Sequence, residues 1–252
     1  MQMHWQTLNK LPAMPCRRGS LYRHHDSIIL WEYLFPMADF LLVIRAAATA
    51  YDLQGRISGS LDIPLSPDGV VEATQTAALV ATAQPVALYA STAVSAFETA
   101  TIIGRTIGLR PRGVATLENL NHGLWQGMLG AEIRRKQPRL YRQRQENPWS
   151  VSPPEGELLE DACRRIEAAL EKLLKRHARG RVAIVLPDPL DRLVRWLVAG
   201  ESLGDLWLRD PNGKSIVALP LAVQWRTGRL LTGGEHGTRA SRHYGGLEKM
   251  QS

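Results

Sequence analysis

The alternation of short, unbroken apolar runs with longer helical patterns limits this chain's fold more than any other feature. Phe40 to Ile44 has no polar member to turn toward water, which suits a strand buried on both faces of a parallel sheet. A connection containing Gly55 and Gly59 follows. Ser66-Pro67-Asp68-Gly69 then supplies a capping hydroxyl with proline at the first helical position, and the alanine-rich Val70 to Ala83 reads as a helix ended by Pro85. Val86 to Tyr89 is a second buried strand, followed by a helix through Ala96, Thr99, Ile103 and Ile107 that stops at Gly108. Gly113 to Leu117 is a third strand candidate, and Leu129 to Arg144 a basic helical segment interrupted at Pro138. Glu157 to Ala178 is the longest helix, with Leu158, Leu159, Ile166, Leu170, Leu173 and Leu174 on one stripe. Val182 to Leu186 is the fourth strand, Leu190 to Ala199 its helix, and Ser215 to Leu231 reads as short antiparallel strands joined at Pro220 and Gly228.

Strands that alternate with helices predict an α/β fold: a three-layer sandwich with a mostly parallel sheet flanked by helices. Ligands of such sheets bind at the carboxyl ends of the strands, here the loops after Ile44, Tyr89, Leu117 and Leu186. The first 36 residues lack this patterning and are read as an N-terminal extension, poorly ordered or a mis-assigned start. Residues 37–232 are assigned to the α/β domain and 233–252 to a C-terminal tail.

The rest of the composition removes several classes of function. The apolar stretch from Ile28 to Ile44 is broken by Glu32, Pro36 and Asp39, so it is no membrane span. No basic, then apolar, then small-residue leader opens the chain, which makes the cytoplasm the default. Cys16 and Cys163 are the 2 cysteines and have no ligand partners at short spacing, which argues against a disulfide scaffold and a cysteine-based zinc site. The formal charge is +7, a matter of solubility and steering until it is located.

With these elements placed, the chain resembles the histidine phosphatase superfamily, the phosphoglycerate-mutase-like enzymes. The opening stretch "LLVIRAAATAYDLQGRISGSLDIPLSPDGVVEA" from Leu41 keeps Arg45, Gly55, Arg56, Gly59, Asp62, Pro64, Leu65, Ser66 and Gly69 in that family's register. The likeness continues through "LYASTAVSAFETA" from Leu88, "LENLNHGLWQG" from Leu117, "PPEGE" from Pro153, "VAIVLPDP" from Val182 and "LWLRDPNGKSIVAL" from Leu206. It implies the family's fold and, in an ordinary member, phosphoryl transfer through a histidine.

The same register places other residues where the family keeps its chemistry. The histidine that attacks phosphorus follows the motif arginine; here Ala46 follows Arg45, and an alanine has no lone pair to offer. The second clamping arginine matches Ser95. The acid that protonates the leaving oxygen matches Asn119, an amide. The second histidine matches Asp188 within Pro187-Asp188-Pro189, and a carboxylate there repels a phosphoryl group. The resemblance therefore predicts no catalytic residues, Ala46, Ser95, Asn119 and Asp188 having replaced the family's set. It predicts a pseudophosphatase that binds an anion or a protein partner without turnover; the alternative is a phosphatase or phosphoglycerate-mutase-type enzyme with an altered active site. No cofactor and no metal are implied, Asp52 and Asp188 being too few carboxylates for a dedicated site.

Arg45 and Arg56 are the candidate ligand-binding residues. Arg45 is open to two readings, a remnant anion ligand or the ion-pair partner of Asp188 or Asp52; Arg56 either reaches the pocket or holds its loop. Asp188 is read as a loop residue, His122 as a packing residue at the pocket mouth, Cys163 as an inert thiol, and Trp125, Trp196 and Trp207 as core or rim. The tail string "RHYGGL" from Arg242 stands out of family order and is taken as coincidence.

Six bases (Arg134, Arg135, Lys136, Arg139, Arg142 and Arg144) stand against Glu132 and Glu146 in one short segment, which holds most of the domain's excess positive charge. It reads either as a solvated helix face or as a docking patch for an acidic protein partner or a phosphate-bearing small molecule. No nucleic-acid motif accompanies it, and neither nucleic acid nor membrane is an expected partner.

Overall fold

A computed structural model describes residues 40–149, 151–177, 180–203, 206, 209 and 213–221. The readings that fall on residues 1–36, on Trp207 and on residues 222–252, including the second half of the final strand pair, lie outside the described residues.

Five strands form one sheet in the order β3-β2-β4-β1-β5. They are β1 (Phe40–Arg45), β2 (Ala87–Ser91), β3 (Arg112–Val114), β4 (Val182–Leu186) and β5 (Ile216–Pro220). The first four run parallel, and β5 pairs antiparallel with β1, Leu42 opposite Ala218. The helices are α1 (Ala50–Gln54), α2 (Pro67–Ala83), α3 (Val94–Ile107), α4 (Gly130–Lys136), α5 (Pro138–Glu146), α6 (Leu159–Lys175) and α7 (Leu190–Ala199).

Strand periodicity explains the three layers. Successive side chains of a strand point to opposite faces, so Leu41 and Val43 join Ile184 and Leu186 in one core, beneath Ile166, Leu170 and Leu173 of α6 and Leu190, Leu193 and Leu197 of α7. Leu42 and Ile44 join Leu88, Ala183 and Val185 in the other, beneath Ala77 and Val80 of α2 and Ala96, Ala100 and Ile103 of α3. The expected α/β sandwich is the fold observed.

Local departures from the expected boundaries have physical reasons. The third strand ends at Val114, and Ala115–Leu117 forms a 3-10 turn that carries Leu117 off the sheet edge into the core under α6. The long helix begins only at Leu159: Glu157 stays extended, its carboxylate accepting from the Asn121 amide and from Arg165, and Leu158 is 42% exposed rather than part of the stripe. Pro138 separates α4 from α5 as expected. The glycine-rich connection holds an unforeseen short helix, α1, whose entry is fixed by Thr49 and Asp52 exchanging hydrogen bonds in a capping box.

The entry to α2 fastens the loop after β1. Ser66 Oγ accepts from the Gly69 amide and donates to the Ala48 carbonyl, each at 3.0 Å, and the Ser66 amide donates to the same carbonyl. A methyl on Gly69 would lie 2.0 Å from the Ala48 oxygen, and neither backbone can yield cheaply. Gly69→Ala is therefore expected to lower stability by about 1–3 kcal/mol, the usual cost of overpacking, as read from a urea unfolding midpoint.

Candidate functional site

The carboxyl ends of β1, β2 and β4 open onto a narrow cleft whose walls include Ala46, Ala47, Ser58, Ser95, Asn119 and Asp188. Its volume open to water-sized occupants is about 20 Å³, room for one water and little more.

Ala46 and Ala47 continue β1 as backbone ligands rather than side-chain chemistry. The Ala46 amide donates to Leu186 O at 2.7 Å, and the Ala47 amide donates to Thr99 Oγ1 at 3.0 Å. Thr99 in turn donates to the Ser95 carbonyl, which ties α3 to the loop. The Ala48 amide donates to Glu72 Oε2 at 2.9 Å. Arg209, remote in sequence, donates to the Ala46 carbonyl at 2.8 Å and to Glu72 Oε1 at 2.6 Å, and its guanidinium is 3.9 Å from Asp52 Oδ2.

Asp188 lines the cleft, and Arg45, which is not among the described lining residues, meets it from behind the wall. Both side chains are 5% exposed, and Arg45 Nη1 is 3.9 Å from Asp188 Oδ2; Arg45 Nη2 also donates to the Gly213 carbonyl at 3.0 Å. Asp188 Oδ1 accepts from Arg192 through Nε at 3.1 Å and through Nη2. Asn119 donates to the Gly59 and Asp188 carbonyls, each at 3.0 Å, so its amide closes the loops over β4, and the Asp188–Pro189 peptide is cis.

These contacts make the site internally neutral: Arg45, Arg192 and Arg209 face Asp188, Glu72 and Asp52. Burial holds the Arg45 pKa below its ordinary value, Arg209 acts in the same direction, and Asp188, Asp191 and Glu72 oppose them. Asp191, in the first turn of α7, is pushed up to about 7. Burial is the main cause and the Asp188 charge adds to it, against the attraction of Arg195, Arg192 and Arg45.

Other residues singled out from sequence take quieter places. Arg56 donates to Gln54 Oε1 at 2.9 Å and to the Gly127 carbonyl at 2.7 Å, so it fastens the loop, and it is not among the described cleft residues. His122 is 1% exposed, and burial, helped by Arg144, lowers its pKa to about 3; it is a neutral packing residue away from the cleft lining. Burial pushes the Cys163 thiol up to about 12, which keeps it unreactive. Trp125 is core, and Trp196 packs on Trp149 with ring centroids 4.8 Å apart.

Arg192, Arg209, Glu72 and Asp191 were not anticipated. Arg192 stands four residues after Asp188 in "PDPLDRL", the spacing that brings side chains together on a helix, and could have been found that way. Arg209 and Glu72 are 137 positions apart and carry no local signal.

Residues 41–221 match the model of the histidine phosphatase superfamily, branch 1. The chain belongs to the histidine phosphatase superfamily. Phosphoserine phosphatase 1 of Hydrogenobacter thermophilus is 28% identical over 167 residues, which are 66% of this chain and 79% of that relative. Glucosyl-3-phosphoglycerate phosphatase of Mycobacterium tuberculosis is 32% identical over 93 residues, 37% of this chain and 42% of that protein. The native structure of a mycobacterial glucosyl-3-phosphoglycerate phosphatase has the same fold, with a TM-score of 0.60 at 24% identity, covering 66% of this chain and 82% of that one. In this superfamily member Ala46, Ser95, Asn119 and Asp188 therefore line the cleft at the strand ends, with Arg45 paired to Asp188 behind the lining.

Two outcomes follow from the ion-pair cluster. Asp188→Ala leaves Arg45 and Arg192 buried without their shared carboxylate and is expected to cost about 3–5 kcal/mol; inorganic phosphate should restore part of the lost melting temperature in this variant and leave the wild type unmoved. Because the folded-state pKa of Asp191 lies above its unfolded value, the folded protein binds the extra proton between about pH 4 and 7, and this contribution falls as pH rises through that window. Denaturant titrations should show wild-type stability dropping relative to Asp191→Asn from about pH 4 to about pH 7, with no further divergence above it.

Proposed function

We propose that this superfamily member does not turn over phosphate esters and works by binding, with a protein partner as the occupant its geometry favours. The observation that carries this reading is the Asp188 carboxylate at the strand ends, clasped by Arg45 and Arg192, at the position that the sequence resemblance matches to the family's second histidine. An entering phosphoryl group would meet that carboxylate, and like charges about 4 Å apart oppose each other by about 4 kcal/mol at the effective dielectric of such sites. Arg45 would also have to surrender Asp188 and Gly213 before it could clamp an anion, and Arg56 would have to leave Gly127. The cleft's small volume adds to the obstacle.

Nucleophile, clamp, acid and second histidine act as a unit, so replacing all of them leaves no partial machinery that one neighbour can repair. Ala46→His places an imidazole after Arg45 but restores neither clamp nor acid. The competing reading, a phosphoryl-transfer enzyme with an altered site, draws on relatives named as phosphatases.

The purified chain, assayed against p-nitrophenyl phosphate, phosphoserine and 3-phosphoglycerate with and without divalent metal, is expected to give no turnover above background, and Ala46→His is expected to stay inactive. Turnover that disappears on Arg45→Ala would establish the enzyme reading instead.

A further inference from the structure

The α4–α5 hairpin carries an excess of positive charge that its own carboxylates, Glu132 beside Lys136 and Arg135 and Glu146 at its end, offset only in part. Arg134, Arg135, Lys136, Arg139 and Arg142 are all exposed, and their side chains form no ion pair or hydrogen bond with a described residue. Exposed Arg164 pairs with Asp161 at 2.8 Å, whereas the other exposed bases without an ion pair among the described residues, such as Arg105 and Arg110, stand apart from one another rather than in one run. The sixth base of the segment is different: Arg144 is 2% exposed and donates to the Val151 carbonyl at 2.6 Å.

The hairpin beneath these charges is fixed. Ile133 packs with Ile57 and Trp125 in a small core that Leu140 and Tyr141 cover, and the Trp125 indole donates to Gln137 Oε1 at 2.9 Å. Such a platform presents its charged groups without paying the entropy of ordering a loop.

We propose that the exposed face of α4–α5 is a docking surface for an acidic segment of a partner protein. This deepens the binding reading above by naming the surface and the chemistry of its partner. Four of the five groups are guanidiniums, whose planar fork matches carboxylates in pairs. A platform for single-stranded nucleic acid would offer aromatic rings for bases to stack on, but the hairpin's aromatic residue, Tyr141, is only partly exposed and packs onto the core below; contact through backbone phosphates alone is tested by the oligothymidine competition. Anchoring by insertion into a membrane would need apolar side chains, and no large apolar residue of α4–α5 is exposed; purely electrostatic attachment to anionic lipid is the arm that the vesicle competition below decides.

The full chain is titrated into a fluorescein-labelled oligoglutamate peptide at about 0.15 M salt and followed by fluorescence anisotropy, with oligothymidine of equal charge and phosphatidylserine vesicles as competitors. The peptide should bind in preference to both. Combined Arg135→Gln, Arg139→Gln and Arg142→Gln should weaken it roughly tenfold, the factor carried by about 1.4 kcal/mol. An equal charge change on other exposed bases, Arg105→Gln, Arg110→Gln and Lys172→Gln, should leave the affinity within about twofold. Equal weakening by both sets, preference for oligothymidine or vesicles, or no peptide binding would overturn the proposal. Ester hydrolysis by the wild type would remove the non-turnover reading and leave this surface standing, so the two fail separately.

Discussion

The Asp188 carboxylate, shared between Arg45 from β1 and Arg192 from α7, is the contact on which the strand-end architecture depends. It lies where β1 and β4 run parallel, so it joins the sheet's centre to the helix that covers one face. Its energy is not simply additive: burying charges costs several kcal/mol each, and only a complete arrangement recovers that cost. The remaining contacts complete it. Asn119 holds the Asp188 carbonyl, Gly213 takes a second Arg45 proton, and Arg209 with Glu72 neutralises the other side of the cleft. Remove the carboxylate and two guanidiniums are left in a low-dielectric site; remove an arginine and the carboxylate is.

This coupling accounts for the order of the site and, on the non-turnover reading proposed above, for its silence. A phosphate-binding pocket keeps cations available in its unliganded state, so that the ligand supplies the missing charge. Here protein carboxylates already supply it, and the amide of Asn119 spends its donors on backbone carbonyls. The same residues that would have to reorganise for an anion also hold the loops together, so ligand entry competes with folding energy rather than drawing on it.

The fold was legible because buried parallel strands announce themselves as unbroken apolar runs, as Phe40 to Ile44 and Val182 to Leu186 do. The misses came where tertiary packing overrode local pattern. Gly113 to Leu117 has strand composition, yet only the edge pairing with β2 supports it, and Leu117 gains more by turning into the core. At the site, collinear motifs located Ala46, Ser95, Asn119 and Asp188 around one cleft, and the pairing of Arg45 with Asp188 was one of two open readings. What could not be read was the company these residues keep. The Arg209–Glu72 pair joins distant parts of the chain with no periodicity to signal it, and Arg144 looked like one more surface base in a basic run although it is the buried residue of α5.

Charge in this molecule is thus sorted by burial. At the strand ends Arg45, Arg192 and Arg209 each have a carboxylate within reach, whereas the five exposed bases of α4–α5 form no ion pair with a described residue, and Glu132 acts on Lys136 and Arg135 only at longer range. Exposed charges a few ångströms from solvent ions act over roughly 8 Å at physiological salt, enough to steer and orient a partner but not to reach into a closed cleft. On the binding reading proposed above, recognition falls to that exposed hairpin, while the paired charges at the strand ends serve as an internal brace between β1, β4 and α7.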